Sequence, residues 1–255
     1  MEIAGNSLIG LRAGLRCSDP TRFKANVAPK NGPWATAAIV IFRESLAVHF
    51  QPIEGRETGL IGYLLSDPDE RVSIAVDPPR SCTDVILALL AEHQFRLLQV
   101  LRTHVHEDDK DDCVPLCALT GAGLQPQASS ARGTQIVFGA EVLRILATPG
   151  HTPHCLSYLW RDRLLCGDLF EFGACPSSEV DTDPGRLFDS LTRSVFTLPD
   201  STLVFPAHPV RGRHVATLAE LRRRYASILS RGREGFMTEM VRRRASGQPS
   251  GRLIC

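Results

Sequence analysis

One stretch decides both the fold and the site of this 255-residue chain: Thr103-His104-Val105-His106-Glu107-Asp108-Asp109. It follows directly on Leu97–Leu101, an apolar run typical of a β-strand. Two imidazoles two residues apart, and a carboxylate two residues after the second, are therefore expected in one short loop at a strand end. Neutral imidazole and carboxylate are ligands that suit Zn, Fe and Mn. The stretch predicts one corner of a metal site.

Three further strand ends carry residues of the same type. They are Thr148-Pro149-Gly150-His151-Thr152, Cys166-Gly167-Asp168 and Phe205-Pro206-Ala207-His208. In the first, the Pro-Gly pair forces a turn that presents His151 at the sheet edge. A lone histidine or aspartate in such a place is more often a cap or an otherwise satisfied polar group. Four of them, all in loops after strands, favour a single metal site.

Short apolar and β-branched runs alternate with helical patterns in both halves of the chain, and no Pro/Gly/Ser-rich linker divides the middle. Strands are predicted at 38–42, 46–50, 60–65, 72–77, 97–101, 134–138, 142–147, 156–160, 164–166 and 203–205. Helices are predicted around 85–90, 113–120, 187–195, 218–229 and 236–241. This order predicts an α+β fold, in which residues 35–255 form one domain of two packed sheets with helices outside. Residues 1–34 are predicted to be an irregular N-terminal arm.

Composition excludes several classes of function. The chain is 43% hydrophobic and 22% charged with a net charge of +1, so no overall field favours nucleic acid or an anionic membrane. It lacks an apolar run of the roughly 18 residues that a membrane span needs, and Met1–Lys24 lacks the apolar core of a signal peptide. The eight scattered cysteines are expected to be reduced, as in the cytoplasm. The runs Arg222–Arg224 and Arg242–Arg244 are interpreted as solvated helix faces, with an anion or nucleic-acid site as the alternative.

The motifs T-H-x-H-x-D, T-P-G-H-T, G-D and P-A-H occur here in this order. With them the chain resembles the metallo-β-lactamase superfamily from about Ala47 to about Met240. Within that superfamily it is similar to the persulfide dioxygenase (sulfur dioxygenase) branch, although glyoxalase II thioester hydrolases share much of the pattern. The stretches that carry the similarity are Gly62–Leu65, Ala75–Pro78, Arg102–His106, Thr148–Pro153, and Gly167-Asp168 with Cys175 seven residues later.

The resemblance implies an αββα sandwich, two mixed β-sheets packed face to face, with a metal at one edge. It implies one Fe(II) per chain held by His104, His151 and Asp168, with Zn or Mn as alternatives. Two histidines and one carboxylate leave positions open for O₂ and substrate. The implied reaction oxidises a low-molecular-weight thiol persulfide, such as glutathione persulfide, to sulfite and thiol.

The same resemblance assigns supporting roles to residues around the metal ligands. This chain departs from the superfamily pattern at one position that concerns those roles. His106, Asp108 and His208 are implied to orient the metal ligands. The superfamily pattern H-x-H-x-D-H ends here in Asp109, where two-metal hydrolases have a histidine that binds the second metal. This change favours one iron over a pair of zincs. A second cation held by His106, Asp108, Asp109 and His208 remains an alternative, as does a solvated acidic turn.

The substrate pocket also departs from the branch. Thr152, His154 and Cys175 are the candidate pocket residues, with a surface histidine and a packed thiol as the alternatives for the last two. The branch follows its cysteine with Gly-Arg-Thr-Asp, whereas Pro176 and Ser177 follow here, so a strong arginine donor is missing. The branch also places Asp-Tyr after Pro-Ala-His, where this chain has Pro209-Val210.

Three functions follow as hypotheses. The first is an iron-dependent oxidoreductase that uses O₂ and a thiol persulfide. The second is a metal-dependent hydrolase of a thioester or lactone, like glyoxalase II. The third is a metal-poor relative without catalytic activity. No nucleic-acid or membrane partner is expected, and a homodimer is left open.

Overall fold

The computed structural model describes residues 49–56, 58–105, 113–125, 134–170, 182–209 and 213–245. The chain divides into two compact units, Met1–Arg43 and Glu44–Cys255, and every described residue belongs to the second. The strands within these ranges are β1 (His49–Glu54), β2 (Ile61–Asp67), β3 (Val72–Val76), β4 (Arg96–Leu101), β5 (Gly123–Leu124), β6 (Gln135–Phe138), β7 (Glu141–Ala147), β8 (Leu156–Trp160), β9 (Arg163–Gly167), β10 (Leu203–Pro206) and β11 (Ala216–Thr217). The helices are α1 (Thr83–Glu92), α2 (Val114–Thr120), α3 (Pro184–Ser190), α4 (Leu218–Leu229) and α5 (Gly232–Ala245), with a 3₁₀ turn at Arg80–Cys82 and a π-helical turn at Leu191–Val195.

The strands form two mixed sheets. The first has the order β1-β2-β3-β4-β5 and the second the order β11-β10-β9-β8-β7-β6. In the first sheet β3, β4 and β5 are parallel, and in the second β9 and β10 are parallel, while the other pairs are antiparallel. The loops that follow β4, β7 and β9 carry the ligand-type residues. The order of the strands in the two sheets therefore determines which of these loops lie close together.

Side chains of the strands point alternately to the two faces of each sheet, and the apolar ones form three layers. Tyr63 in β2 and Trp160 in β8 belong to the core between the sheets, together with residues of β3, β4, β6, β7 and β9. Leu64, one residue on from Tyr63, packs against α1 and α2 instead. Leu159 packs against the third core, which includes α3, α4 and α5. Side chains at successive positions of a strand point to opposite faces, so the order of layers is helix, sheet, sheet, helix. The predicted αββα sandwich is confirmed.

Most predicted elements lie where the sequence places them, with three differences. The strand predicted at 46–50 is found at His49–Glu54, where it pairs with Ile61–Ser66; the polar Gln51 and Pro52 hide it from the apolar pattern, and an edge strand tolerates the proline.

The helix predicted at 187–195 starts at Pro184, capped by the Asp183 carboxylate, and changes to a π-helical turn after Ser190. In that turn the Thr192 hydroxyl donates to the Phe188 carbonyl at 2.8 Å, a side-chain bond that competes with regular helix geometry. The two-residue strands β5 and β11 carry too few positions to show a period.

Two predictions concern residues outside the described ranges. The strand at 38–42 and the boundary between an arm at 1–34 and a domain from 35 both lie there, so they stay predictions. Among the described helices, none has both the length and the apolarity that crossing a membrane requires.

Candidate metal centre

His104 is held by a chain of hydrogen bonds that starts at Asp77, directly after β3. The Asp77 carboxylate accepts from the Thr103 backbone N–H and from the Thr103 hydroxyl, both at 2.7 Å. Thr103 Oγ1 lies 3.0 Å from His104 Nδ1. When Asp77 is ionised the threonine proton is already donated, so Oγ1 accepts from Nδ1–H. That tautomer leaves the lone pair of His104 Nε2 available for a metal.

His151 lies in a buried loop between β7 and β8. Residues of α3, and the two residues just before α3, donate hydrogen bonds to the carbonyls of this loop. Ser190 Oγ donates to the Pro149 carbonyl at 2.7 Å, the Asp183 N–H to the Gly150 carbonyl at 2.8 Å, and Thr182 Oγ1 to the His151 carbonyl at 3.1 Å. Three successive carbonyls are thereby fixed, so the backbone that carries His151 is positioned by α3.

Gly150 lets α3 approach that loop. Its φ is +145°, and a Cβ there would lie 2.4 Å from Leu187 Cα. On the other side of the loop, Cys155 Sγ accepts from the Thr152 N–H at 3.1 Å and lies 3.2 Å from Thr152 Oγ1. Burial raises the pKa of the Cys155 thiol to about 11, although the Thr152 hydrogen bonds oppose the rise. Cys155 is therefore a protonated structural thiol at neutral pH.

Asp168 follows β9 through Gly167, whose φ is +56°. A Cβ on Gly167 would lie 2.5 Å from Thr103 Oγ1, so this glycine lets the Asp168 loop approach the His104 loop from the other sheet. Asp168 is 2% exposed. Its Oδ1 accepts from His208 Nδ1 at 2.9 Å, and because a carboxylate only accepts, that histidine nitrogen carries the proton.

The three loops bring His104, His151 and Asp168 together, all buried, with one potential ligand atom of each within 4.8 Å of the others. Asp168 Oδ2 lies 3.4 Å from His104 Nε2 and 3.7 Å from His151 Nε2. The two imidazole rings meet edge to face with centroids 5.0 Å apart. Donor atoms that share one ion at about 2.0–2.2 Å are separated by distances of this order.

Charge in the site is arranged around Asp168. Burial alone would raise the pKa of its carboxyl, but His104 and His208 outweigh that effect and hold the pKa far below its usual range. Asp168 is therefore an anion at neutral pH. Burial raises the pKa of Asp77, and the nearby His104 and the hydrogen bonds from Thr103 oppose the rise.

These residues fit a metal ion. Asp168 Oδ2 is buried and makes no hydrogen bond of acceptable geometry with any described residue, which is costly for an anionic oxygen. A cation between Oδ2 and the two Nε2 atoms would compensate that cost. Two imidazoles and one carboxylate, facing one another, are a donor set for Fe(II), Zn or Mn.

The other predicted site residues have different positions. His208 does not belong to the group of converging ligand atoms but contacts Asp168, as the resemblance implies for an orienting residue. Thr152 is buried and bonded to Cys155, and His154 is exposed, its N–H donating to Thr152 Oγ1 at 3.4 Å. His106, Asp108, Asp109, Cys175, Ser177 and Val210 lie outside the described residues.

Sequence reasoning missed Asp77 and Cys155 as supports of the site. Asp77 directly follows an apolar strand, the same signal that singled out His104 and Asp168. Cys155 carried no local signal, because its role depends on the loop folding back on Thr152.

Comparison with known proteins places this geometry in a family. No protein-family model matches the chain. The crystal structure of ETHE1 from Myxococcus xanthus is 33% identical in sequence and superposes with a TM-score of 0.70, covering 76% of this chain and 90% of that chain. Bovine (Bos taurus) mitochondrial persulfide dioxygenase ETHE1 is 30% identical over 181 residues, 63% of this chain and 68% of the bovine protein. The chain belongs to the metallo-β-lactamase superfamily, in its ETHE1 branch.

Membership of the ETHE1 branch and the buried triad together indicate a metal cofactor. A hydroxyacylglutathione hydrolase from Anaeromyxobacter dehalogenans is also similar, at 30% identity over 135 residues, but this match covers 49% of this chain and 53% of the hydrolase. The similarity to the ETHE1 proteins is therefore the more extensive one.

Proposed function

We propose that this protein is a mononuclear iron-dependent persulfide dioxygenase, which oxidises a low-molecular-weight thiol persulfide with O₂ to sulfite and thiol. His104 Nε2, His151 Nε2 and Asp168 Oδ2 are the metal ligands in this proposal. The observation that carries it is the convergence of these three buried donors, in a chain of the ETHE1 branch. Asp109, where two-metal relatives have a histidine ligand, supports one ion rather than two.

Neighbouring side chains orient the proposed ligands and set which of their atoms carry protons. His208 donates to Asp168 Oδ1 and leaves Oδ2 for the metal. Thr103 fixes the Nδ1–H tautomer of His104 when Asp77 is ionised. The triad residues are between 2% and 9% exposed, which limits the access of bulk water. When bound, Fe(II) supplies the Lewis acid and the redox chemistry that bring O₂ and the terminal sulfur of the persulfide together.

The test measures metal content, oxygen uptake and sulfite release on full-length protein loaded separately with iron and with zinc. The iron form is expected to consume one O₂ and to release one sulfite per glutathione persulfide, because both atoms of O₂ go to the terminal sulfur and water, in cleaving the S–S bond, supplies the third oxygen of sulfite and the thiol proton. His151→Ala should abolish the reaction. His93→Ala, which removes an exposed histidine at the end of α1, is the matched control and should leave it unchanged.

The thioester hydrolase is the second candidate, because the similar proteins include hydroxyacylglutathione hydrolases. Its test is hydrolysis of S-lactoylglutathione by the zinc form and its loss in His104→Ala. Turnover of the thioester without oxygen uptake from the persulfide would replace the dioxygenase proposal. Absence of bound metal after expression with iron and zinc would contradict both.

A further inference from the structure

A cleft separate from the metal-binding triad is lined by β9, β10, β11 and α4. It is small, with a cavity volume of about 30 Å³. Its walls are mainly apolar and include Phe170, Val204 and Leu221, but two arginines, Arg213 and Arg224, also line it. No acidic residue is found among the described residues that line this cleft. Arg213 is exposed and pairs with Glu220, whereas Arg224 has no acidic partner among the described residues. A cation in apolar surroundings without a counter-ion is poorly solvated, so this composition points to a missing anion beside Arg224.

Arg224 has a nitrogen that lacks an acceptor. Its guanidinium lies 6.0 Å from the centre of the Tyr225 ring, but its Nη2 atom is buried and has no hydrogen-bond partner in the described chain. Its natural partner on α4 is Glu220, four residues earlier. The Glu220 carboxylate is instead used elsewhere: it accepts from the Thr217 N–H at 2.9 Å to close the helix cap, and it pairs with Arg213 at 3.3 Å.

Comparison with the neighbouring arginines shows that the missing acceptor is specific to Arg224. Arg222 donates to Asp200 Oδ1 at 3.0 Å and to the Phe196 carbonyl at 2.7 Å. Arg223 is exposed, as expected for a solvated helix face. Of the three, Arg224 is the one that lines the cleft, so the solvated face predicted for the run Arg222–Arg224 is formed by Arg222 and Arg223 and does not include Arg224.

We propose that this cleft is a binding site for a small oxyanion, such as sulfate, sulfite, phosphate or a short carboxylate, with Arg224 and Arg213 as the donors. A guanidinium offers two parallel N–H groups that match two oxygens of such an anion. The amide groups at the start of α4 are not the donors. Leu218 N–H, Ala219 N–H and Glu220 N–H already donate to Thr202, Asp200 and Thr217. The helix dipole adds only its positive field at this end.

Thermal unfolding of the full chain tests this site. Sulfate, phosphate and acetate are each titrated in the low millimolar range, with sodium chloride at matched ionic strength as reference. At least one anion is expected to raise Tm saturably, by about 3–5 °C at about ten times its Kd. Response to sulfate or phosphate alone assigns the site to tetrahedral oxyanions, and response to acetate assigns it to carboxylates.

Matched variants locate the effect. Arg224→Leu is expected to lose the saturable shift, while Arg223→Leu keeps it. Without anion, Arg224→Leu should melt at or above the wild-type temperature, because an apolar side chain replaces an unpaired charge. Arg224→Gln serves as second variant if the leucine variant does not fold. An anion bound at the metal would be insensitive to both changes. No saturable shift in the wild type, or an equal shift in Arg224→Leu and Arg224→Gln, overturns the proposal.

Discussion

A single hydroxyl decides which nitrogen of His104 faces the metal. The Thr103 side chain donates to Asp77 Oδ2 and contacts His104 Nδ1. The position of a carboxylate after β3 therefore determines how an imidazole after β4 is oriented. These strands are parallel neighbours, with Val76 opposite Leu101, which brings the two strand ends to the same edge. The ligand and its support therefore follow from one strand pairing.

Thr103→Val tests this support. Valine has nearly the same shape as threonine but cannot accept from Nδ1–H or donate to Asp77, which would be left buried with fewer partners. Metal affinity is expected to fall about 10–100-fold, the usual effect of removing a residue that orients a ligand. Titration with a competing chelator measures it. Thr103→Ser keeps the hydroxyl and should retain affinity within a factor of a few; equal losses in the two variants would contradict the role.

The residues that meet at the centre were predictable because each one ends an apolar run. His104, His151 and Asp168 stand out as polar groups at strand ends, and the order of motifs relates them to a family. The contacts that support them were not predictable. Cys155 bonds to Thr152 only because the loop after β7 turns back on itself, and residue spacing does not record that turn.

At the scale of elements, α3 acts on the metal centre through the loop Thr148–Cys155. Gly150→Ala is expected to destabilise the protein by more than about 3 kcal/mol, because the new methyl would collide with Leu187 and because a φ of +145° is nearly restricted to glycine. Chemical denaturation measures the change. Gly59→Ala is the matched control: its φ is +65° but the space around it is open. It should cost only about 1–2 kcal/mol. Similar losses in both would show that backbone strain alone matters.

On α5 one carboxylate links three arginines. Glu239 lies 2.7 Å from Arg242, 2.9 Å from Arg243 and 3.6 Å from Arg231. The hydrogen bonds from Arg242, and then those from Arg243, lower the pKa of Glu239 to about 2. Because this pKa lies below the unfolded value of 4.5, the stabilisation is complete above about pH 4.5 and is lost as the pH falls towards 2.

Glu239→Gln is therefore expected to lower the free energy of unfolding by about 0.5–1 kcal/mol at neutral pH. The difference from wild type should shrink as the pH falls from about 4.5 towards 2, because the wild-type carboxylate is then protonated as well. Urea denaturation across this range measures it. Glu70→Gln, at an exposed position of the β2–β3 turn and away from any helix end, should have little effect at any pH. A pH-independent loss in Glu239→Gln would indicate packing rather than charge.

For the whole molecule, the sequence predicted the sandwich more completely than its details. The order of strands and helices predicts two sheets with helices outside, and the apolar stripe of α4 marks its inner face, whereas β2 and β8 are buried on both faces and carry no alternation that would separate the two. The sequence does not show that Gly167 brings the Asp168 loop against Thr103, because this approach depends on how two sheets are stacked. It also does not show that Glu220 turns to Arg213 and leaves Arg224 Nη2 without an acceptor among the described residues, because several partners compete for one carboxylate.

The proposed metal ion would join the two sheets, since His104 follows β4 of the first, and His151 and Asp168 follow β7 and β9 of the second. Removing it with a chelator is expected to lower Tm by about 5–10 °C, because a ligand that binds only the folded state stabilises it by mass action. Asp168→Asn, which removes the anionic ligand, should melt at the same temperature with and without chelator. Asp162→Asn, in the exposed β8–β9 turn, should keep the wild-type shift. A chelator-independent Tm in metal-loaded wild type would show that the sheets are held by their apolar core alone.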